Sequence, residues 1–262
     1  MTENLLIFFV IILTGIVGYF LRSFTLSGAI AAIIVGLVVF VGFGVRGLFL
    51  LGVFFVSSSL WSKYKSTYKI AIEEKLAKGT TRDWRQVFAN GGSAALFSMI
   101  FYFHHDKIWL IGFVVCIAGA NSDTWPSEIG SLSKRDPISI RTFKRVERGT
   151  SGAISLLGST SALLGSLVIA LFSSWLFHLD GTNSLIVFLF GFIGNTIDTL
   201  VGAFYQQAYV CTQCGIETER KLHCQIPTTR IKGFSFVDND MVNFLSGFLA
   251  ALLAMVVILQ SN

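Results

Sequence analysis

Long stretches with almost no charged side chain dominate this chain of 262 residues. A transmembrane helix needs about 20 mostly apolar residues. Only 13% of the residues are charged, whereas a soluble domain has about 25%. The sequence therefore predicts an integral membrane protein and excludes a water-soluble fold. Eight stretches are candidate spans, at residues 5–21, 24–43, 46–61, 92–103, 108–121, 152–177, 184–205 and 241–259.

These spans predict an all-α, polytopic membrane protein with about eight transmembrane helices. The stretches 92–103 and 108–121 are shorter than a full crossing, so a tilted helix or a supported hairpin stays open for each of them. The count is accordingly open between six and nine.

Basic residues fix the expected orientation, because cytoplasmic loops collect Lys and Arg. With both termini outside, 18 of the 20 basic residues lie inside, and only Arg46 and Lys107 lie outside. The expected location is the cell membrane, with the active site facing the cytoplasm. The net charge of +5 then reflects topology and requires no nucleic-acid partner.

The same map divides the chain into three parts. Residues 1–61 form three membrane-anchoring helices. Residues 62–90 form a cytoplasmic basic linker, for which a solvated segment and an interfacial helix are both open. Residues 91–262 form the catalytic membrane domain, with cytoplasmic loops at 122–151 and 206–240.

The polar clusters within the spans of the third part all lie in the cytoplasmic half of the membrane. Asn121 and Asp123 end the fifth span, and Glu128 lies just beyond it. Asp198 lies ~12 Å deep in the seventh span, and Asp240 opens the eighth. Ionisable groups in the membrane are costly and indicate function. A transporter places its site near the midplane, so a one-sided site favours an enzyme that acts on a lipid with a cytosolic cosubstrate.

Carboxylates together with substrate phosphates are the usual ligands of Mg²⁺. We expect Asp123, Glu128, Asp198 and Asp240 to hold this ion. Glycines and hydroxyls before the sixth helix favour phosphate binding, although an ordinary capped helix start would also explain them. The expected nucleotide- and phosphate-binding residues are Asn121, Ser122, Lys144, Arg145, Arg148, Gly149, Thr150, Ser151, Gly152 and Asn195.

Four clustered residues in the last cytoplasmic loop form a separate feature. Cys211 and Cys214 are followed by the adjacent pair His223 and Cys224. Thiolates with an imidazole suit Zn²⁺, and the reducing cytosol disfavours disulfides. A structural zinc site and free surface thiols are both open, because adjacent ligands strain a tetrahedral site.

Five motifs in fixed order resemble a known membrane family. They are GANSDTWPSEIG, ERGTSGAISLLG, GNTIDTLVGA, the CxxC with its following His-Cys, and VDNDMVN. Over essentially the whole chain the sequence is similar to the family that contains transmembrane protein 19 and plant phytyl phosphate kinase.

The resemblance implies a prenyl phosphate kinase. Such an enzyme transfers the γ-phosphoryl group of a nucleotide, ATP or CTP, to a phytyl, farnesyl or geranylgeranyl monophosphate and forms the diphosphate. Asp123, Glu128 and Asp198 are then the expected catalytic residues. The expected partners are the lipid bilayer, the prenyl phosphate and the nucleotide, and a homodimer stays open. A secondary transporter of a small anion or metal ion and a non-catalytic scaffold are the alternatives.

Overall fold

Seven α-helices carry the chain that the computed structural model describes, which is residues 2–69, 72 and 74–261. Two 3-10 turns, Ser66–Lys69 and Gly130–Leu132, accompany them. The helices are α1 (Thr2–Phe20), α2 (Leu26–Lys63), α3 (Trp84–His104), α4 (Lys107–Ile129), α5 (Leu156–Phe177), α6 (Gly181–Phe204) and α7 (Asn239–Ser261).

Side-chain caps set where several of these helices begin. Asp83 and Gln86 form a reciprocal capping box at the start of α3. Ser155 Oγ accepts from the third amide of α5, and Asp180 does the same for α6. These caps satisfy amides that have no partner inside the helix.

Helix α2 turns back on itself at Gly44. This residue has φ 61°, a left-handed conformation that favours glycine. The ring of Phe24 stacks on that of Phe55 at 4.6 Å, and Lys63 Nζ donates to the carbonyl of Leu21 at 3.2 Å. The two halves of α2 therefore run antiparallel, and the break lies between the expected spans 24–43 and 46–61.

Helix α4 is the centre of the bundle and packs against α2, α3, α5, α6 and α7. Small residues allow this close packing. A Cβ placed on Gly165 of α5 would lie 2.9 Å from the carbonyl oxygen of Asn121, and one on Gly191 of α6 would lie 2.6 Å from the Cβ of Ala118. Membrane helices associate through such close backbone contacts.

Within the described residues, five helices are long and apolar enough to cross a membrane: α2, α4 with its following 3-10 turn, α5, α6 and α7. Most of α1, Asn4–Phe20, forms a shorter apolar helix. Helices α3 and α4 are 21 and 23 residues long, well beyond the expected stretches 92–103 and 108–121, because both helices continue through polar residues.

The loops carry short strands that the all-α expectation lacks. In the first loop β1 (Ile138–Ser139) pairs with β2 (Ala153–Ile154). In the second, β3 (Ala208–Val210) lies between β4 (Glu217–Thr218) and β7 (Thr229–Lys232). A further hairpin joins β5 (Leu222–His223) to β6 (Ile226–Pro227). All these pairs are antiparallel.

The described part of the basic linker lies against the loop between α6 and α7. Its described residues 74–83 form turns and irregular chain, while residues 70, 71 and 73 lie outside the described part. Tertiary contacts hold this segment in place, because the carbonyl of Lys75 accepts hydrogen bonds from Thr218 Oγ1 at 2.7 Å and from the amide of Glu219 at 2.8 Å. We call residues 74–83 the strap.

Candidate functional site

A cavity of about 710 Å³ lies at the end of the bundle where α2, α4 and α6 end and α3, α5 and α7 begin. Its size falls within the ordinary range of ligand sites. Ten residues expected from the sequence line it: Asp123, Glu128, Arg148, Gly149, Thr150, Ser151, Gly152, Asn195, Asp198 and Asp240.

The carboxyl groups of Asp123 and Asp198 lie within hydrogen-bonding reach of each other. Asp198 also accepts from Ser246 Oγ at 3.4 Å. The amide nitrogen of Asn243, in the orientation that satisfies its contacts, donates to Asp198 at 3.1 Å. Two carboxylates in one site repel unless a proton or a cation lies between them. This pair from α4 and α6 is therefore suited to a divalent cation.

Glu128 has a different environment from Asp123, although both lie on α4. Its Oε2 forms an ion pair with Lys69 Nζ at 2.6 Å, and its Oε1 accepts from Ser62 Oγ at 2.6 Å. The same Lys69 nitrogen donates to the carbonyl of Trp61 at 2.6 Å. The two oxygens of Glu128 thus join the end of α4 to the last turn of α2 and to the 3-10 turn that follows it.

Asp240 is also paired with basic residues. Lys78 Nζ lies 2.5 Å from its Oδ2, and Arg85 Nε lies 3.6 Å from it. Arg85 in addition pairs with Asp238 at 2.6 Å. These ion pairs join the strap and the start of α3 to the start of α7, so Asp123 and Asp198 remain the best-suited metal ligands of the expected set.

The expected phosphate loop lies on the cavity wall but does not start a helix. Gly149 and Gly152 have φ 83° and 76°, and β2 and the cap Ser155 separate them from α5, which begins at Leu156. A Cβ on Gly152 would lie 2.4 Å from the Cα of Ala203. The glycine therefore lets this loop lie directly against α6.

Four expected residues lie away from the cavity wall. Asn121 and Ser122 are fully buried, and both donate to carbonyls of α5, those of Gly165 and Ala162. Arg145 instead lines a second cavity of about 480 Å³ together with Lys75 and Glu147. Lys144 is exposed and lines neither of these two cavities.

Several cavity residues were not expected from the sequence. Lys69, Lys78, Arg82 and Glu219 all line it. Burial raises the pKa of the Glu219 carboxyl, and the donors Ala77 N and Gln206 Nε2 oppose that rise. The basic segment alone could have suggested the three cations, since seven Lys and Arg lie within 62–90. No spacing pointed to Glu219.

The structure brings Cys211, Cys214, His223 and Cys224 together. One ligand atom from each lies within 4.8 Å of all the others. The Nδ1 atom of His223 is 3.5 Å from Cys214 Sγ and 3.2 Å from Cys224 Sγ. Hydrogen bonding from the Cys214 amide lowers the pKa of the Cys211 thiol to about 6. Contact with Cys214 raises the pKa of Cys224 to about 11.

Comparison with known proteins assigns the family. The model of the family described as integral membrane protein DUF92 matches residues 9–251. The chain belongs to this family. A multi-pass, mostly helical membrane protein is thereby confirmed, and so is the resemblance drawn from the motifs. The number of crossings and the sides of the termini stay predictions.

Three relatives show the extent of the similarity. A membrane protein of Methanocaldococcus jannaschii is 37% identical, over 69% of this chain and 74% of its own. Protein PGR of Arabidopsis thaliana is 33% identical, over 95% of this chain and 94% of its own. The chloroplastic Protein VTE6 of Arabidopsis thaliana is 26% identical, over 99% of this chain and 72% of its own. No solved structure matches the chain.

Proposed function

We propose that this protein is a membrane-embedded prenyl phosphate kinase that works at its cytoplasmic face. The observation that carries the proposal is the facing pair of carboxylates, Asp123 and Asp198, inside a cavity whose wall also contains Arg148 and the loop Gly149–Gly152. The resemblance of the motifs to a family that contains phytyl phosphate kinase supports the same chemistry.

Asp123 and Asp198 would hold Mg²⁺ together with the phosphates of the nucleotide. A hard cation bound by one or two carboxylates plus substrate phosphates is the usual arrangement in phosphoryl transfer. The cation would offset the repulsion between the two carboxylates. When bound, it neutralises charge on the transferred phosphoryl group.

The positive charge of Arg148 and the backbone amides of the Gly149–Gly152 loop on the cavity wall would hold phosphates. Arg148 is half-exposed, and its guanidinium is 3.8 Å from Asp136, so it can reorient towards an anion. The left-handed conformations of Gly149 and Gly152 can turn amides of this loop towards a phosphate oxygen. An oxygen of the acceptor monophosphate attacks the γ-phosphorus, and the bond to the β-phosphate oxygen breaks. The acceptor is already an anion, so the step needs no strong general base.

The apolar tail of the acceptor would leave the cavity beside the first turn of α5. Ser155, Gly158 and Ser159 line the cavity at this point. Leu156 and Leu157 next to them are exposed on the outer surface of the bundle. In this position the phosphate reaches the polar cavity while the tail stays among the lipid chains.

The proposed topology has eight crossings, with both termini outside. The turn at Gly44 divides α2 into two antiparallel halves, which supports this count. The cavity then lies on the side that holds 18 of the 20 basic residues. That side is the cytoplasm under the rule for basic loops.

A direct assay tests this function. The purified protein in lipid nanodiscs is given phytyl, farnesyl or geranylgeranyl monophosphate with Mg²⁺ and γ-labelled ATP or CTP, and the lipid phase is analysed for labelled diphosphate. We expect transfer with the wild type and none with Asp198→Asn. Asp106→Asn, a cap at the opposite end of the bundle, is the matched control and should stay active.

A transport assay tests the alternative, that the protein carries a small anion across the membrane. Reconstituted vesicles that exchange labelled phosphate without a nucleotide, and that lose this exchange in Asp198→Asn, would favour a carrier. Together with no diphosphate from any donor or acceptor, that result would overturn the kinase proposal.

A further inference from the structure

We propose that Cys211, Cys214, His223 and Cys224 bind one structural zinc ion, and that this ion holds the strap (residues 74–83) in place over the cavity. The proposed phosphoryl transfer does not require such a site. It lies in the loop between α6 and α7, away from Asp123 and Asp198.

The four ligand atoms lie within 4.8 Å of one another, and the two separations from His223 Nδ1 are close to those around a tetrahedral Zn²⁺. Bonds of about 2.3 Å to sulfur and 2.0–2.1 Å to nitrogen place neighbouring ligand atoms about 3.5–3.8 Å apart. The observed separations of 3.5 Å and 3.2 Å from His223 Nδ1 to the sulfurs of Cys214 and Cys224 are close to this value. Three thiolates and one imidazole are a donor set typical of structural zinc.

The backbone explains how ligands that are adjacent in sequence can face one point. Cys224 and Gln225 have φ 51° and 62°, and they form the two-residue turn of the β5–β6 hairpin. Two left-handed residues are characteristic of a type I′ turn. This turn directs the side chain of Cys224 back towards His223, which removes the strain expected from the sequence alone.

The second pair of ligands is held by a tight turn. Gly215 has φ 75°, and its amide donates to the carbonyl of Cys211 at 2.8 Å. This turn places Cys211 and Cys214 on the same side of the chain. Cys211 directly follows β3, so the ion would join the β3 sheet to the β5–β6 hairpin.

Contacts from this β region reach the strap and then the cavity. Thr218 and Glu219 donate to the carbonyl of Lys75, and Glu219 Oε2 accepts from the amide of Ala77 at 3.3 Å. Lys78 at the far part of the strap pairs with Asp240. Zinc bound between the β3 sheet and the β5–β6 hairpin would therefore fix the strap, which forms part of the cavity wall.

Metal analysis of the freshly purified full-length protein tests the site. We expect one equivalent of zinc, released when p-hydroxymercuribenzoate modifies the thiols and detected with a chromogenic chelator. Cys214→Ser should lose the metal. Gln213→Ser, a change at the exposed neighbour that supplies no ligand, should keep it. His223→Cys should also keep it, because a fourth thiolate replaces the imidazole.

Limited trypsin digestion tests the link to the strap. Cleavage after Lys75, Lys78 and Arg82 should be slow in the wild type and in Gln213→Ser, and several-fold faster in Cys214→Ser. Wild-type protein without zinc, or with iron in its place, would overturn the site. Unchanged cleavage of the strap in a zinc-free Cys214→Ser protein would overturn its structural role. Neither result depends on kinase activity.

Discussion

The pair Lys69–Glu128 allows a decisive test of how the cavity is built. The sequence assigns Glu128 to the metal, whereas the structure pairs it with Lys69 at 2.6 Å. The side chain of Glu128 is 18% exposed and that of Lys69 is 5% exposed. At that separation and an effective dielectric constant of about 20, the Coulomb attraction is on the order of 6 kcal/mol. Desolvation of both ions offsets much of this attraction.

Removal of one partner leaves the other charge buried and uncompensated. Such changes cost about 3–5 kcal/mol, and each kcal/mol lowers the unfolding midpoint of a chain of this size by about 2–4 °C. Lys69→Met and Glu128→Gln should therefore each lower the midpoint by on the order of 10 °C. The double variant should lose much less than the sum of the two, because it leaves no unpaired charge.

The assay is thermal unfolding of the purified variants in one detergent, followed by tryptophan fluorescence. Lys134→Met, a change at an exposed lysine in the first loop, is the control and should shift the midpoint by less than about 2 °C. A Glu128→Gln protein with an unchanged midpoint and no kinase activity would refute the structural role. Glu128 would then belong with the metal ligands.

Two further predictions concern the topology and the start of α3. A membrane-impermeant maleimide applied to intact cells should label Gly181→Cys and leave Thr80→Cys unlabelled, and labelling at position 80 would contradict the orientation. Asp83→Ala should lower the free energy of unfolding by about 0.5–2 kcal/mol through loss of the cap. Burial raises the pKa of the Asp83 carboxyl, but hydrogen bonds from Lys78 and from the Gln86 amide outweigh it, and the pKa is lowered. This stabilisation is therefore complete above the ordinary Asp pKa of about 3.9 and disappears as the pH falls through the lower folded value, which unfolding measured against pH would show.

The sequence predicts the helices well because apolar stretches of membrane length have few alternative structures. It places the ends of α3 and α4 poorly, since a search for uncharged stretches stops at the polar residues that form the site. Asp123 and Glu128 lie inside α4, where their side chains face the cavity and not lipid.

The pairing of Asp123 with Asp198 could be anticipated, because both lie at similar depth on helices that end at the same face. The roles of Lys69 and the strap could not. They depend on contacts between residues far apart in sequence, such as Lys78 with Asp240 and Lys75 with Thr218. No local pattern encodes those contacts.

The shared cation at Asp123 and Asp198 is the central claim, and Mn²⁺ binding measures it directly. Paramagnetic resonance of Mn²⁺ in place of Mg²⁺, with a non-hydrolysable nucleotide present, reports the affinity and the number of ions. We expect one ion per chain in the wild type. Its affinity should fall at least tenfold in Asp123→Asn and in Asp198→Asn, and by a similar factor in the double variant, because ligands of one ion act as a unit. Wild-type affinity in either single variant, or a double variant with the summed losses of two independent sites, would contradict the claim.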